Sequence, residues 1–172
     1  MPGLFLGLSP DSGARAALVR LNAAGDLPDG RQVAADNLHL TLRYLGQLPE
    51  TAVACLGLTL SRIDLGAFEL VLDCWGVYRR AGVLWAGCRL PPPELLALAA
   101  ACDTAAVICG AMPLDHPFNP HCTLRRKVRN GLTEGAITPI RWPVAAFHLY
   151  CSESAPGGVR YRSLREFTLA AR

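Results

Sequence analysis

The residues able to do chemistry occur twice in one arrangement: His, any residue, Thr, Leu. The copies are His39-Leu40-Thr41-Leu42 and His121-Cys122-Thr123-Leu124. Both sit in alternating, strand-like settings, where residues two apart share a face. Each His thus shares a face with its Thr, and the leucines turn toward a core. Two such strands side by side would bring two imidazoles and two hydroxyls into one cleft. Near pH 7 a neutral imidazole takes a proton from water and an imidazolium gives one to a departing alkoxide. One ring cannot hold both states at once, so two are needed. Thr hydroxyls and a nearby Arg can hold non-bridging phosphate oxygens and stabilise the charge that develops on them. The pattern fits phosphoester cleavage with neither metal nor cofactor.

The other two histidines, His116 and His148, have no such context, although His116 lies close enough to the second copy to touch a ligand. The seven cysteines show no CxxC or other paired zinc-ligand spacing and read as buried free thiols in a reducing compartment. Strand alternation turns Cys122 away from His121 and Thr123, so it is not read as a nucleophile. No GxGxxG, P-loop or GxSxG is found.

The chain has 172 residues, enough for one domain or two small lobes sharing a core. A hydrophobic fraction of 51% and a charged fraction of 18% exclude a disordered chain. A net charge of +3 is too small for a non-specific duplex-binding surface. The N-terminus lacks a basic leader and no apolar run spans a membrane, so a cytoplasmic protein is expected.

The elements that must position the two motifs follow in order. Leu4 to Leu8 is a buried strand. Ser9 is read as the N-cap of a first helix with Pro10 at its first position, continuing over Arg15 to Asn22. A loop over Gly25 to Gly30 precedes the first motif strand, which Gly46 ends. A helix over Glu50 to Ile63, a hairpin over Phe68 to Tyr78 and Gly82 to Leu90, and a helix over Glu94 to Cys109 come next. The proline-bearing loop 111–120 delivers the second motif strand, followed by a basic turn over 125–131. Thr133 to Pro143 reads as loop, and strands over Val144 to Ser152 and Val159 to Leu169 close the chain around a turn at 156–158. This is an α+β pattern, and an internally duplicated, two-lobed architecture is expected although no repeat is seen beyond the motif.

The stretches 33–46 and 117–126, with Val83-Leu84-Trp85-Ala86-Gly87 and Tyr161-Arg162-Ser163-Leu164, resemble the 2H phosphoesterase superfamily. Within it the likeness is to the bacterial RNA 2′,3′-cyclic phosphodiesterases, also called 2′-5′ RNA ligases (LigT-like), and it spans nearly the whole chain. The resemblance implies one domain over 1–172 made of two pseudo-symmetric lobes, with antiparallel sheets, helices packed outside and a central cleft. It implies hydrolysis of a terminal RNA 2′,3′-cyclic phosphate to a 2′-phosphate, with 2′-5′ ligation as a reverse-type activity. His39 is then the proton donor to the 3′ oxygen and His121 the proton acceptor that activates water. Thr41 and Thr123 bind the phosphate, Arg126 reaches it as well, and Tyr44 stacks on the terminal base or packs in the core. The family often carries Arg where this chain has His116. Arg125 is expected on the face opposite Arg126. The partners implied are RNA ends or nucleotides bearing a 2′,3′-cyclic phosphate, met by a monomer away from membranes. Two other readings stay open: a phosphodiesterase for another small cyclic or 2′-5′-linked nucleotide, and a nucleotide- or RNA-binding module without turnover.

Overall fold

A computed structural model describes residues 3–129, 134–156 and 158–171. They form one open, antiparallel, nine-stranded sheet with three α-helices. Named in chain order, the strands are β1 (Leu4–Leu8), β2 (Arg31–Gln32), β3 (Leu40–Gly46), β4 (Phe68–Tyr78), β5 (Val83–Gly87), β6 (His121–Arg126), β7 (Glu134–Val144), β8 (Ala146–Ala155) and β9 (Gly158–Thr168). The helices are α1 (Ser12–Ala23), α2 (Glu50–Leu60) and α3 (Pro93–Ile108).

The sheet order is β7-β4-β5-β6-β3-β1-β8-β9, with β2 added against β6. Two four-strand halves, β7-β4-β5-β6 and β3-β1-β8-β9, therefore meet at the two motif strands. The antiparallel sheets expected of the two halves are continuous here, joined where Leu40 pairs with Cys122. The helices cross this seam. α1 leaves β1 yet packs against β6 and β7, and α3 leaves β5 yet packs against β3 and β4. Under the sheet lie Leu6, Leu8, Leu40, Leu84, Leu98 and Leu124, all fully buried. Each such leucine contributes roughly 1.5–3 kcal/mol, so the motif strands are held from below by both halves.

Three local readings change. Asp11, not Ser9, caps α1, accepting from the Ala14 N–H at 2.8 Å, and Pro10 precedes the cap. The stretch read as loop over 133–143 is strand β7 from Glu134 onward, and Thr133 lies outside the described residues. β7 is a sheet edge, where Pro139 and Pro143 cost no ladder hydrogen bond on the open side. Ile140, Trp142 and Val144 alternate into the core, a period that the prolines obscure. Third, Cys55 and Cys109 are joined by a disulfide between α2 and the end of α3, correcting the expectation of free thiols throughout. Cys74, Cys88, Cys102, Cys122 and Cys151 are free. The expected turns over 125–131 and 156–158 lie partly outside the described residues.

Candidate active site

Because β3 and β6 run antiparallel about the Leu40–Cys122 pair, His39 lies beside Thr123 and Thr41 beside His121. The four side chains line one cleft of about 480 Å³, together with Phe5, Tyr44, Tyr78, Val83, Arg126, Ser152, Val159 and Tyr161. Cys122 is fully buried behind them, and burial pushes its thiol far above the range of a nucleophile.

Both imidazoles are oriented the same way. His39 Nδ1 is 2.7 Å from the Asn37 carbonyl, and His121 Nδ1 is 2.8 Å from the Asn119 carbonyl. A carbonyl only accepts, so in each ring Nδ1 carries the proton and Nε2 is left for the cleft. The Thr41 hydroxyl lies 3.1 Å from His39 Nε2 and donates to it. The asparagines also tie each motif to another strand of its own half of the sheet. Asn37 donates to the Val159 carbonyl and accepts from the Tyr161 N–H, and Asn119 donates to the Tyr78 hydroxyl at 2.7 Å. Tyr161 then meets His39 edge-on at 4.8 Å between ring centroids, and Tyr78 meets His121 at 5.3 Å.

Burial lowers both imidazole pKa values, and the Arg126 guanidinium adds to the effect. His39 is brought down to about 4, against a partial rise from its bond to Asn37. His121 moves in the same direction from 6.5. Both rings are therefore neutral at pH 7, and an incoming anion is what would favour a proton there.

Strict alternation beyond the threonines would send Arg43 and Arg125 into the cleft and turn Tyr44 and Arg126 away. The reverse is observed, and a β-bulge in each strand is the reason. Gly7 pairs with Thr41 and Leu6 with Arg43, skipping Leu42; Trp85 pairs with Thr123 and Leu84 with Arg125, skipping Leu124. The extra residue inverts the facing of all that follows. Arg43 and Arg125 are buried, whereas Tyr44 and Arg126 are exposed and line the cleft. Arg125 faces away from Arg126 by simple alternation, as expected, and the bulge decides which of the two meets the cleft.

His116 is exposed, beside Asp115 and outside the residues lining the cleft. His148 lies 3.1 Å from the Ser163 hydroxyl and 3.8 Å from Glu166, also outside that lining. Phe5, Tyr78, Tyr161 and the two asparagines were not anticipated as site residues. The asparagines carried a signal, since each stands two residues before its His, extending the repeat to Asn-x-His-x-Thr-Leu-Arg. The described residues contain no group of three or more His, Cys, Asp or Glu placed to hold a metal ion.

Residues 10–154 match the family model described as the 2′-5′ RNA ligase superfamily. An RNA 2′,3′-cyclic phosphodiesterase from Escherichia coli (strain K12) is 36% identical over 171 residues, covering 96% of each chain. One from Thermus thermophilus is 32% identical over 158 residues, covering 81% of this chain and 75% of its own. Among solved structures, E. coli LigT complexed with 3′-AMP superimposes with a TM-score of 0.89 at 35% identity, covering 99% of each chain.

Proposed function

The chain belongs to the 2′-5′ RNA ligase superfamily and is an RNA 2′,3′-cyclic phosphodiesterase, and we propose that it opens the ring by dividing acid and base work between His39 and His121. The observation that carries this reading is the matched pair of Nδ1–carbonyl bonds, which leave both Nε2 atoms for the cleft. His121 Nε2 takes a proton from the attacking water as the oxygen bonds to phosphorus. The bond from phosphorus to the 3′ oxygen breaks, and His39 Nε2–H gives that oxygen its proton. One water is consumed, and a 2′-phosphate and a 3′-hydroxyl result.

His39 must be protonated before it can act, and its burial disfavours that. The negative charge of the bound ring, beside both imidazoles, reverses the preference. Thr41 and Thr123 donate to the non-bridging oxygens, and Thr41 releases His39 Nε2 as it does so. Arg126 adds a charged donor, which strengthens as charge gathers on the phosphoryl oxygens. Tyr44, exposed at the mouth of the cleft, stacks on the terminal base. The same ring opening with a 5′-hydroxyl in place of the water would form a 2′-5′ linkage, His121 taking the hydroxyl proton and the 3′ oxygen again leaving with one from His39. The protein is read as a cytosolic monomer of one domain with two quasi-equivalent lobes.

The test is product identity. With EDTA present, an RNA ending in a 2′,3′-cyclic phosphate is expected to give a 2′-phosphate. A 3′-phosphate would reverse the leaving-group assignment, and no turnover would favour a different small nucleotide or a binding module.

A further inference from the structure

The cleft does not end at the two histidines. A second cavity of about 590 Å³ opens from it and shares His39, Thr123, Arg126, Val159 and Tyr161 with the first. Its character differs. The first arm is walled by aromatic rings, whereas the second runs between β2 and the β8–β9 hairpin and carries Arg31 and Arg160 besides Arg126. Asp36 is the one acidic residue in this lining. Among the described residues none of the three guanidiniums has a carboxylate within ion-pair distance.

The placement of Arg31 is the informative detail. It pairs directly opposite Arg126 across β2 and β6, so the two like charges share a face. Such a pair is unfavourable on its own. Arg31 also reaches across the groove, since a Cβ added to Gly158 would lie 3.7 Å from its Nη1. Three cations held around a groove with one nearby carboxylate make a track for a polyanion, and continuity with the histidines says which one.

We propose that this second arm binds the internucleotide phosphate next to the terminal ring, with Arg31 and Arg160 as its phosphate-binding residues. The subsite presupposes the phosphodiesterase activity above. It makes the protein selective for the end of a strand over a free 2′,3′-cyclic mononucleotide, which has no internucleotide phosphate to offer. The terminal nucleoside occupies the aromatic arm and the strand leaves past Gly158.

The experiment compares kcat/KM for a 2′,3′-cyclic mononucleotide and for a short oligoribonucleotide with the same terminal nucleotide. Both are measured in the wild type and in the Arg31→Gln/Arg160→Gln double variant, from 50 to 200 mM salt. The variant is expected to lose about tenfold or more on the oligonucleotide, with its log–log salt slope reduced by roughly one. Its mononucleotide rate, which also reports folding, stays within about twofold. An unchanged oligonucleotide rate, or equal losses on both substrates, would overturn the subsite alone. A wild type that turns over neither substrate would overturn the phosphodiesterase reading and the subsite with it.

Discussion

Arg43 and Arg125 occupy the same position of the repeated heptapeptide, are both buried, and each holds the helix that follows a strand of the other half of the sheet. Arg43 on β3 contacts Asp103 of α3 at 2.7 Å and donates to the Met112 carbonyl. Its charge contact with Asp103 is not an aligned hydrogen bond. Arg125 on β6 donates to Asn22 at the end of α1 and to the carbonyls of Ala24, Leu27 and Pro28. The bulge that turns each Arg inward also turns its neighbour, Tyr44 or Arg126, into the cleft. One local irregularity, used twice, braces the seam and arms the site.

Among the described residues Arg125 has no carboxylate partner, and carbonyl oxygens accept its hydrogen bonds. Truncating it leaves those carbonyls buried without donors. Arg125→Ala is expected to lower unfolding stability by about 2–4 kcal/mol in urea titration. Arg125→Lys is expected to recover less than half, since an ammonium has three donors and no planar fork.

Stability should fall with acid in the range set by His39. Its pKa is about 4 folded and 6.5 unfolded, so above 6.5 both states are neutral and the full contribution is present. Between 6.5 and 4 the unfolded chain binds the proton first, and stability is lost as pH falls. The loss assigned to this ring is on the order of 3 kcal/mol at most. Urea midpoints of the wild type and His39→Gln, compared at pH 7 and pH 4.5, are expected to differ in slope, the variant falling less.

The same shifts order the rate profiles. Catalysis needs one proton on the histidine pair, and the free protein acquires it only below the lowered pKa of His121. The profile of kcat/KM should decline through the neutral range as pH rises, with its acid limb near the pKa of about 4 of His39. The kcat profile, which reports the complex, should have its optimum at higher pH, because the bound phosphate favours imidazolium. Identical optima would show that the anion does not set the protonation.

Tyr44 is 61% exposed, which is costly for a ring whose role is core packing and suits one that meets a base. Tyr44→Ala is expected to raise KM about tenfold with kcat within threefold, and Tyr44→Phe to stay near wild type. A kcat loss with unchanged KM would instead assign Tyr44 to the chemical step.

How much of this was legible beforehand depended on the range of the determining interaction. His39, Thr41, His121 and Thr123 were legible because alternation within a motif is local. The facing of Arg126 and Tyr44 was not, because the bulges depend on pairing with β1 and β5, which no single segment encodes. β7 was hidden by Pro139 and Pro143, acceptable only because that strand lies at the edge. Tyr78 and Tyr161 reach the histidines from strands distant in sequence, and the Cys55–Cys109 link joins two helices whose packing is tertiary. Asn37 and Asn119 were legible in principle, as matched residues at matched spacing.

The proposed division of labour falls between two rings that are alike in tautomer and anchoring. The most direct test is a 2′,3′-cyclic substrate in which the bridging 3′ oxygen is replaced by sulfur, a leaving group that needs no proton. Single-turnover rates on the oxygen substrate should fall about 10²–10⁴-fold in both His39→Ala and His121→Ala. On the sulfur substrate His39→Ala should recover most of that loss and His121→Ala none of it. Recovery in His121→Ala, or equal behaviour of the two variants, would contradict the assignment of His39 as acid and His121 as base.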